Sequence, residues 1–167
     1  EAADAELRAK YPDAPRGKAA VWRMNGLAQE LGLTATYFIN PSGLDESVTQ
    51  AGALGSAHDI ALLFAHALNY PELFAGTTRT NAALAPLNCP ERTAQNTNNA
   101  LPDISGILMS KTGTTDLAGG NLAVAFETEN GHPVVVVVLG ATPDGRYDDV
   151  KKLVEIARKG ISEAPQH

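Results

Sequence analysis

The chain has 167 residues, 44% of them apolar, and a formal net charge of −6, enough for one domain with a sizeable core. Its acids and bases are interspersed and no basic stripe exists, which argues against a nucleic acid or an anionic membrane as partner. Cys89 is the single cysteine, and His58, His66, His132 and His167 are scattered, so no internal disulfide, metal or cofactor is expected.

Residues 1–17 open with an Ala/Glu-rich segment suited to a short helix that breaks at Pro12 and Pro15. From about Lys18, the positions Ala20, Met24, Leu27, Ala28 and Leu31 share one helix face. Gly32 fits the C′ residue of that helix, and Leu33 is placed for the accompanying apolar contact. Thr36-Tyr37-Phe38-Ile39 reads as extended, closed by the turn Asn40-Pro41-Ser42-Gly43. Ser56-Ala57-His58-Asp59 predicts a capped helix start, with Ile60, Leu63, Phe64, Ala67 and Leu68 as its buried stripe and Tyr70-Pro71 as its stop.

Residues 75–105 show no sustained period and read as a long surface connection with room for short strands. Strands are then expected over 106–111, 121–128 and 133–141, the last two joined through Glu129-Asn130-Gly131, a hairpin signal. The run Val134 to Val138 lacks alternation, which suggests a strand covered on both faces and placed in the middle of a sheet. The stretch 133–141 is the longest apolar one and falls far short of the ~20 residues that span a bilayer. A last helix is expected from roughly Gly145 to Lys159, with Val150, Leu153, Val154 and Ala157 on one side.

The tetrapeptide Lys111-Thr112-Gly113-Thr114 follows an apolar run and precedes a Gly-Gly pair expected to turn. As a bare tripeptide, Lys-Thr-Gly is common and equally fits a solvated strand end. Its surroundings are more specific. Met24-Asn25, Leu31-Gly32-Leu33, Asn40-Pro41-Ser42-Gly43-Leu44, Ser56-Ala57-His58-Asp59-Ile60-Ala61, Asn96-Thr97-Asn98, Gly106, Lys111-Thr112-Gly113, Ala118-Gly119 and Leu139-Gly140-Ala141 follow in order. Together they resemble the D-alanyl-D-alanine carboxypeptidases, low-molecular-mass penicillin-binding proteins of the serine peptidase type, from about Ala20 to Ile161. Penicillin-binding proteins and serine β-lactamases carry Lys-Thr-Gly as one wall of an acyl-transfer site.

The resemblance implies an α+β fold of the β-lactamase/transpeptidase type, with an antiparallel sheet of which this chain holds three strands, helices packed on it and a helical lobe. One partial domain is expected over 1–167, with the lobe and connection at 18–105 and the strands and last helix at 106–162. It also implies roles. Acyl transfer needs a nucleophile, a proton acceptor, an oxyanion hole and a seat for the substrate carboxylate. The N–H of Thr114 would be one oxyanion donor. Gly113 would let a substrate backbone lie along the strand. The Thr112 hydroxyl would bond the carboxylate, and Lys111 would add positive charge and help hold a Ser-x-Asn serine. Arg146 aligns with an arginine that helps bind the carboxylate, which a guanidinium can do bidentately, and it equally fits a surface residue of a first helical turn.

The remaining polar candidates read as structural. Asn96 and Asn98 would fix the loop under the site, Thr115 and Asp116 would rim the cleft, His58 and His66 would face solvent or the core edge, and Cys89 would be an unremarkable thiol.

Neither Ser-x-x-Lys nor Ser-x-Asn occurs in the chain. The family places both ahead of the segment matched here, so a missing N-terminal portion is expected, as is no activity of this chain alone. The first residue is Glu1 rather than Met, which points to processing or excision and leaves export open. Without the missing portion, the edge of Val134 to Leu139 would be unpaired, so it is expected to pair with that portion or with a second copy. The implied ligands are a peptidoglycan stem peptide ending in D-Ala-D-Ala and β-lactams, and the implied location is extracytoplasmic. Two rivals share these features: a penicillin-binding-like module that binds cell-wall peptide without chemistry, and a class A-like β-lactamase.

Overall fold

The computed structural model describes residues 2–85 and 90–163, so Cys89 and His167 lie outside the described residues. Two compact units are distinguished: Glu1–Leu63 with Thr115–Ala118, and Phe64–Thr114 with Gly119–His167.

In the first unit, helix α1 (Ala2–Lys10) is followed by α2 (Ala19–Glu30). Lys18 offers α2 no side-chain cap. The Asp4 carboxylate takes that place, accepting the N–H of Ala19 at 3.1 Å and that of Gly17 at 2.9 Å; both bonds favour the charged form and hold its pKa below the ordinary value. The expected stop at Gly32 is met in full. Gly32 has φ +71°, its N–H bonds Gln29 O at 3.0 Å, and the N–H of Leu33 bonds Ala28 O at 2.8 Å. These are the two bonds of a Schellman end, and Leu33 is buried beside them.

Strand β1 (Tyr37–Phe38) pairs antiparallel with β2 (Ala53–Leu54). Between them, the Asn40 side chain accepts the N–H groups of Ser42 and Gly43 at 3.1 and 2.7 Å, which makes the expected turn an Asx-type turn. Ser56 caps α3 (Ala57–Ala67), its Oγ accepting the Asp59 N–H at 3.1 Å. Asp59 does not reach back to close a capping box. It is buried and accepts the N–H of Ala35 at 2.8 Å and the Thr36 hydroxyl at 2.9 Å, tying α3 to the segment that leads into β1. Burial alone would raise its pKa, but the bonds from Thr36, Ala35, Ser56 and His58 together hold it below the ordinary value of 3.8.

In the second unit, α4 (Pro71–Phe74) and a 3₁₀ turn (Ala75–Thr78) lead into an antiparallel pair, β3 (Asn81–Leu84) and β4 (Arg92–Gln95). Most residues of this pair are exposed, so no hydrophobic alternation marks it in the sequence. A 3₁₀ turn (Leu101–Asp103) precedes β5 (Ile107–Thr115), β6 (Gly119–Glu127), β7 (Pro133–Ala141) and α5 (Gly145–Glu163). The sheet order is β5-β6-β7, with β6 and β7 antiparallel. The N–H of Glu127 bonds Gly106 O at 2.8 Å, and a Cβ on Gly113 would face Asn121 Cβ at 3.9 Å. As one strand rises the other falls, so β5 and β6 are antiparallel too.

The core lies between the sheet and α5. Leu122, Val124 and Phe126 of β6, with Val136 of β7, meet Val150 and Val154 of α5, and all six are buried. Gly120 permits the close approach of β6 to the chain after β7, since a Cβ there would lie 2.5 Å from Thr142 O. Thr142 in turn caps α5, its Oγ1 accepting the Gly145 N–H at 3.0 Å.

Two sequence expectations are corrected. Among the described residues the middle strand is β6, whereas the valine run forms β7, whose other edge is unpaired, as expected where no further strand covers it. A run without alternation says that both faces carry apolar side chains. It says nothing about how many neighbours the backbone has, because faces and edges lie in perpendicular directions. The strand expected to stop at Lys111 also continues to Thr115, and Gly119-Gly120 opens β6 rather than forming the turn.

Candidate active site

The four residues Lys111 to Thr114 therefore sit inside β5. The direction of their backbone groups follows from one neighbour. The N–H of Ser110 donates to Thr77 Oγ1 at 3.2 Å, and the Ser110 hydroxyl donates to Thr77 O at 3.0 Å. Ser110 thus directs its N–H away from β6, and along a regular strand these groups alternate in direction. The N–H groups of Thr112 and Thr114 then point out along the same free edge. The Gly113 carbonyl, of opposite parity, lies on the β6 side, where Arg146 reaches it.

Arg146, in the first turn of α5, is 8% exposed and is not a surface residue. Its Nη1 donates to Gly113 O at 2.7 Å and to Thr114 Oγ1 at 2.5 Å, and its Nη2 donates to the Tyr147 hydroxyl at 2.7 Å. The Tyr147 hydroxyl donates to Thr97 O at 2.8 Å, and Thr97 Oγ1 lies 2.6 Å from Thr112 Oγ1. The chain of contacts closes on the strand from which it started. Arg146 and Tyr147 hold Gly113 and Thr114 from behind, while Thr97 fixes the hydroxyl of Thr112. Thr97 and Tyr147 were not singled out from the sequence. The only signal for Thr97 was its place between Asn96 and Asn98, and Tyr147 carried none beyond adjacency to Arg146.

Lys111 is exposed and makes no ion pair among the described residues; its Nζ donates to Thr112 O. Gly113 has ordinary negative-φ backbone, and a Cβ there would make only a normal contact with Asn121. Neither conformation nor packing therefore requires glycine at 113. Its missing side chain leaves space on the exposed side of the strand.

The two asparagines are structural. Asn96 Nδ2 donates to Thr77 O and Arg79 O at 3.1 and 3.0 Å, its Oδ1 accepts the Asn98 N–H at 2.9 Å, and Asn98 Oδ1 accepts the Ala100 N–H at 3.0 Å. Asn98 is buried beneath that loop. Thr115 ends β5 and Asp116 begins the turn after it, where Thr115 Oγ1 accepts the Ala118 N–H at 3.0 Å. His58 is exposed, and the His66 ring lies 5.6 Å from that of Tyr70; neither approaches β5 through any hydrogen bond. No group of three or more His, Cys, Asp or Glu side chains among the described residues could hold a metal ion.

Comparison with known proteins shows the family and the fold. Residues 15–143 match the family model described as D-alanyl-D-alanine carboxypeptidase. The chain is 31% identical over 137 residues to D-alanyl-D-alanine carboxypeptidase DacF of Bacillus subtilis, covering 82% of this chain and 34% of that protein. It is 35% identical over 133 residues to D-alanyl-D-alanine carboxypeptidase DacC of Escherichia coli, covering 78% and 31%. Among solved structures, penicillin-binding protein D2 of Listeria monocytogenes in its cefotaxime-bound form superposes with a TM-score of 0.73 at 29% identity, over 84% of this chain and 55% of that one. The chain spans about a third of the length of these curated relatives. With a matching family model over most of its length and a transpeptidase-type fold around Lys111 to Thr114, the chain belongs to the D-alanyl-D-alanine carboxypeptidase family.

Proposed function

We propose that this chain is a portion of one transpeptidase-like domain in a serine D-Ala-D-Ala carboxypeptidase, which removes the terminal D-alanine of peptidoglycan stem peptides outside the cytoplasmic membrane. The observation that carries this reading is the outer edge of β5. Its backbone donors point away from the sheet, and its shape is held from behind by Arg146. A peptide laid along that edge gains main-chain hydrogen bonds in the manner of an added strand. Gly113 allows it to approach. The Thr112 hydroxyl, oriented by Thr97, donates to the terminal carboxylate, and Lys111 supplies positive charge beside it. The N–H of Thr114 points where a carbonyl oxygen of the scissile bond becomes negative, which is the place for an oxyanion donor. Arg146 adds a second positive charge, but its terminal nitrogens are already engaged by Gly113, Thr114 and Tyr147. It therefore acts on the carboxylate through orientation of the strand and through its field.

The attacking serine and its base would come from residues outside this chain, which has no Ser-x-x-Lys. In the assembled site that serine attacks the carbonyl of the penultimate residue, D-alanine departs, and water hydrolyses the acyl-enzyme. The unpaired edge of β7 would be covered by the same outside segment or by a second copy. Fluorescent penicillin tests the reading: the 167-residue chain takes no covalent label, while the protein extended upstream to include the nucleophile does. Labelling of the short chain would show that it carries a nucleophile of its own.

The absence of Ser-x-x-Lys favours a second reading, a module that binds cell-wall peptide without chemistry. The coding sequence upstream of Glu1 separates the two, since only the enzyme requires the motif there.

A further inference from the structure

A second concave surface lies in the first unit, distant in sequence from the Lys111 strand. An open groove of about 330 Å³ runs along one face of α2, past Lys18, Val21, Trp22, Gly26 and Gln29, and is flanked by Tyr37 of β1. Trp22 and Tyr37 are 38% and 58% exposed.

Both rings are held. Trp22 rests against Tyr11, centroids 6.0 Å apart, and Tyr11 is backed by the Arg23 guanidinium, which is itself paired with Glu30 at 2.8 Å. Tyr37 is fixed through its neighbour: the Asn25 side chain donates to Phe38 O and accepts the Phe38 N–H, both at 2.8 Å, clamping β1 to α2 one helical turn beyond Trp22. Gly26 also lines the groove, in the interior of a helix where glycine is unfavourable. Packing does not require it, since a Cβ there would meet only Arg23 Nη1, at an ordinary 3.6 Å. What the missing side chain does is keep the floor of the groove open.

The chemistry of the lining narrows the ligand. The side chains of Lys18 and Gln29, the Trp22 ring N–H and the Tyr37 hydroxyl have no hydrogen-bond partner among the described residues. The groove contains one cation and no carboxylate. An anionic polymer would need a cluster of bases, and an amphipathic peptide would need a row of aliphatic anchors. Aromatic faces with polar tips, beside amide and ammonium donors, suit an uncharged molecule with apolar C–H faces and a rim of hydroxyl and amide oxygens. We propose that this groove binds a β-linked N-acetylhexosamine oligosaccharide, with Trp22 and Tyr37 stacking on sugar faces and Lys18 and Gln29 donating to ring substituents. That the natural glycan is the sugar backbone of peptidoglycan rests on the cell-wall reading above.

Trp22 is the only tryptophan, so intrinsic fluorescence reports on the groove directly. Titration of the purified protein with chitotetraose is expected to give a saturable change in Trp22 emission. Gly26→Leu fills the floor while favouring the helix, so it is expected to keep the circular dichroism spectrum and lose the response at least tenfold; Tyr37→Ala is expected to weaken it. The same response persists in Lys111→Ala, so this result stands or falls separately from the penicillin test. No saturable change, an equal change with maltotetraose, or a response unaltered by Gly26→Leu overturns the assignment. So does sedimentation showing that Gly26→Leu merely abolishes self-association, which would make the groove a contact between copies.

Discussion

Strands β5 and β6 are neighbours of nine residues each, yet they are built for different ends. In β6, every residue from Leu122 to Phe126 is buried, and both edges are paired. In β5, Lys111, Gly113 and Thr114 are exposed, and one edge pairs with no strand among the described residues beyond the bond from Ser110 to Thr77. β5 is thus the strand proposed to receive a ligand, and β6 makes the platform beside it.

Substitutions that act on one strand and spare the other separate the two roles. The largest effect on folding is expected from Phe126→Ala, which empties a fully buried site next to Val150 and Val154. Urea unfolding should show a loss of about 3–5 kcal/mol. Next comes Arg146→Met, which leaves the Gly113 carbonyl, the Thr114 hydroxyl and the Tyr147 hydroxyl without their donor or partner. A loss of about 1–3 kcal/mol is expected, together with weaker acylation. Arg146→Lys should recover only part of either, because an ammonium cannot span both sides of the fork. Gly113→Ala should change stability by less than about 0.5 kcal/mol while sharply slowing penicillin acylation of the longer protein. If that variant acylates normally, the exposed side of β5 is not where the ligand lies.

A smaller test concerns the first unit. The folded pKa of Asp59 is depressed, so its contribution to stability is present above its unfolded value and is lost as pH falls through the folded one. Thermal melts of the wild type should therefore decline below about pH 4, and Asp59→Asn should flatten that decline. An unchanged pH profile in the variant would show that the bonds from Ala35 and Thr36 carry no linkage.

What could be read beforehand divides along similar lines. The end of α2 at Gly32, the Ser56 cap and the amphipathic α5 were legible because each is set by residues close in sequence. The cap supplied to α2 by Asp4 was not, since it joins residues 15 positions apart. The sequence allows short strands within residues 75–105 but does not place β3 and β4, because their exposed residues carry no period. At the site, the motif itself stood out in the sequence, but the burial of Arg146 did not. A charged residue in a first helical turn ordinarily faces water, and only the folded chain brings the Gly113 carbonyl and the Tyr147 hydroxyl to it.

In the proposed site, β5 offers a ligand-binding edge to a nucleophile supplied from outside these residues. Peptide mapping by mass spectrometry, after reaction of the upstream-extended protein with benzylpenicillin, addresses it most directly. A single covalent adduct on a serine preceding Glu1 is expected, with its loss or strong reduction in Gly113→Ala. An adduct on Ser42, Ser110 or any other serine of the 167 residues would contradict it.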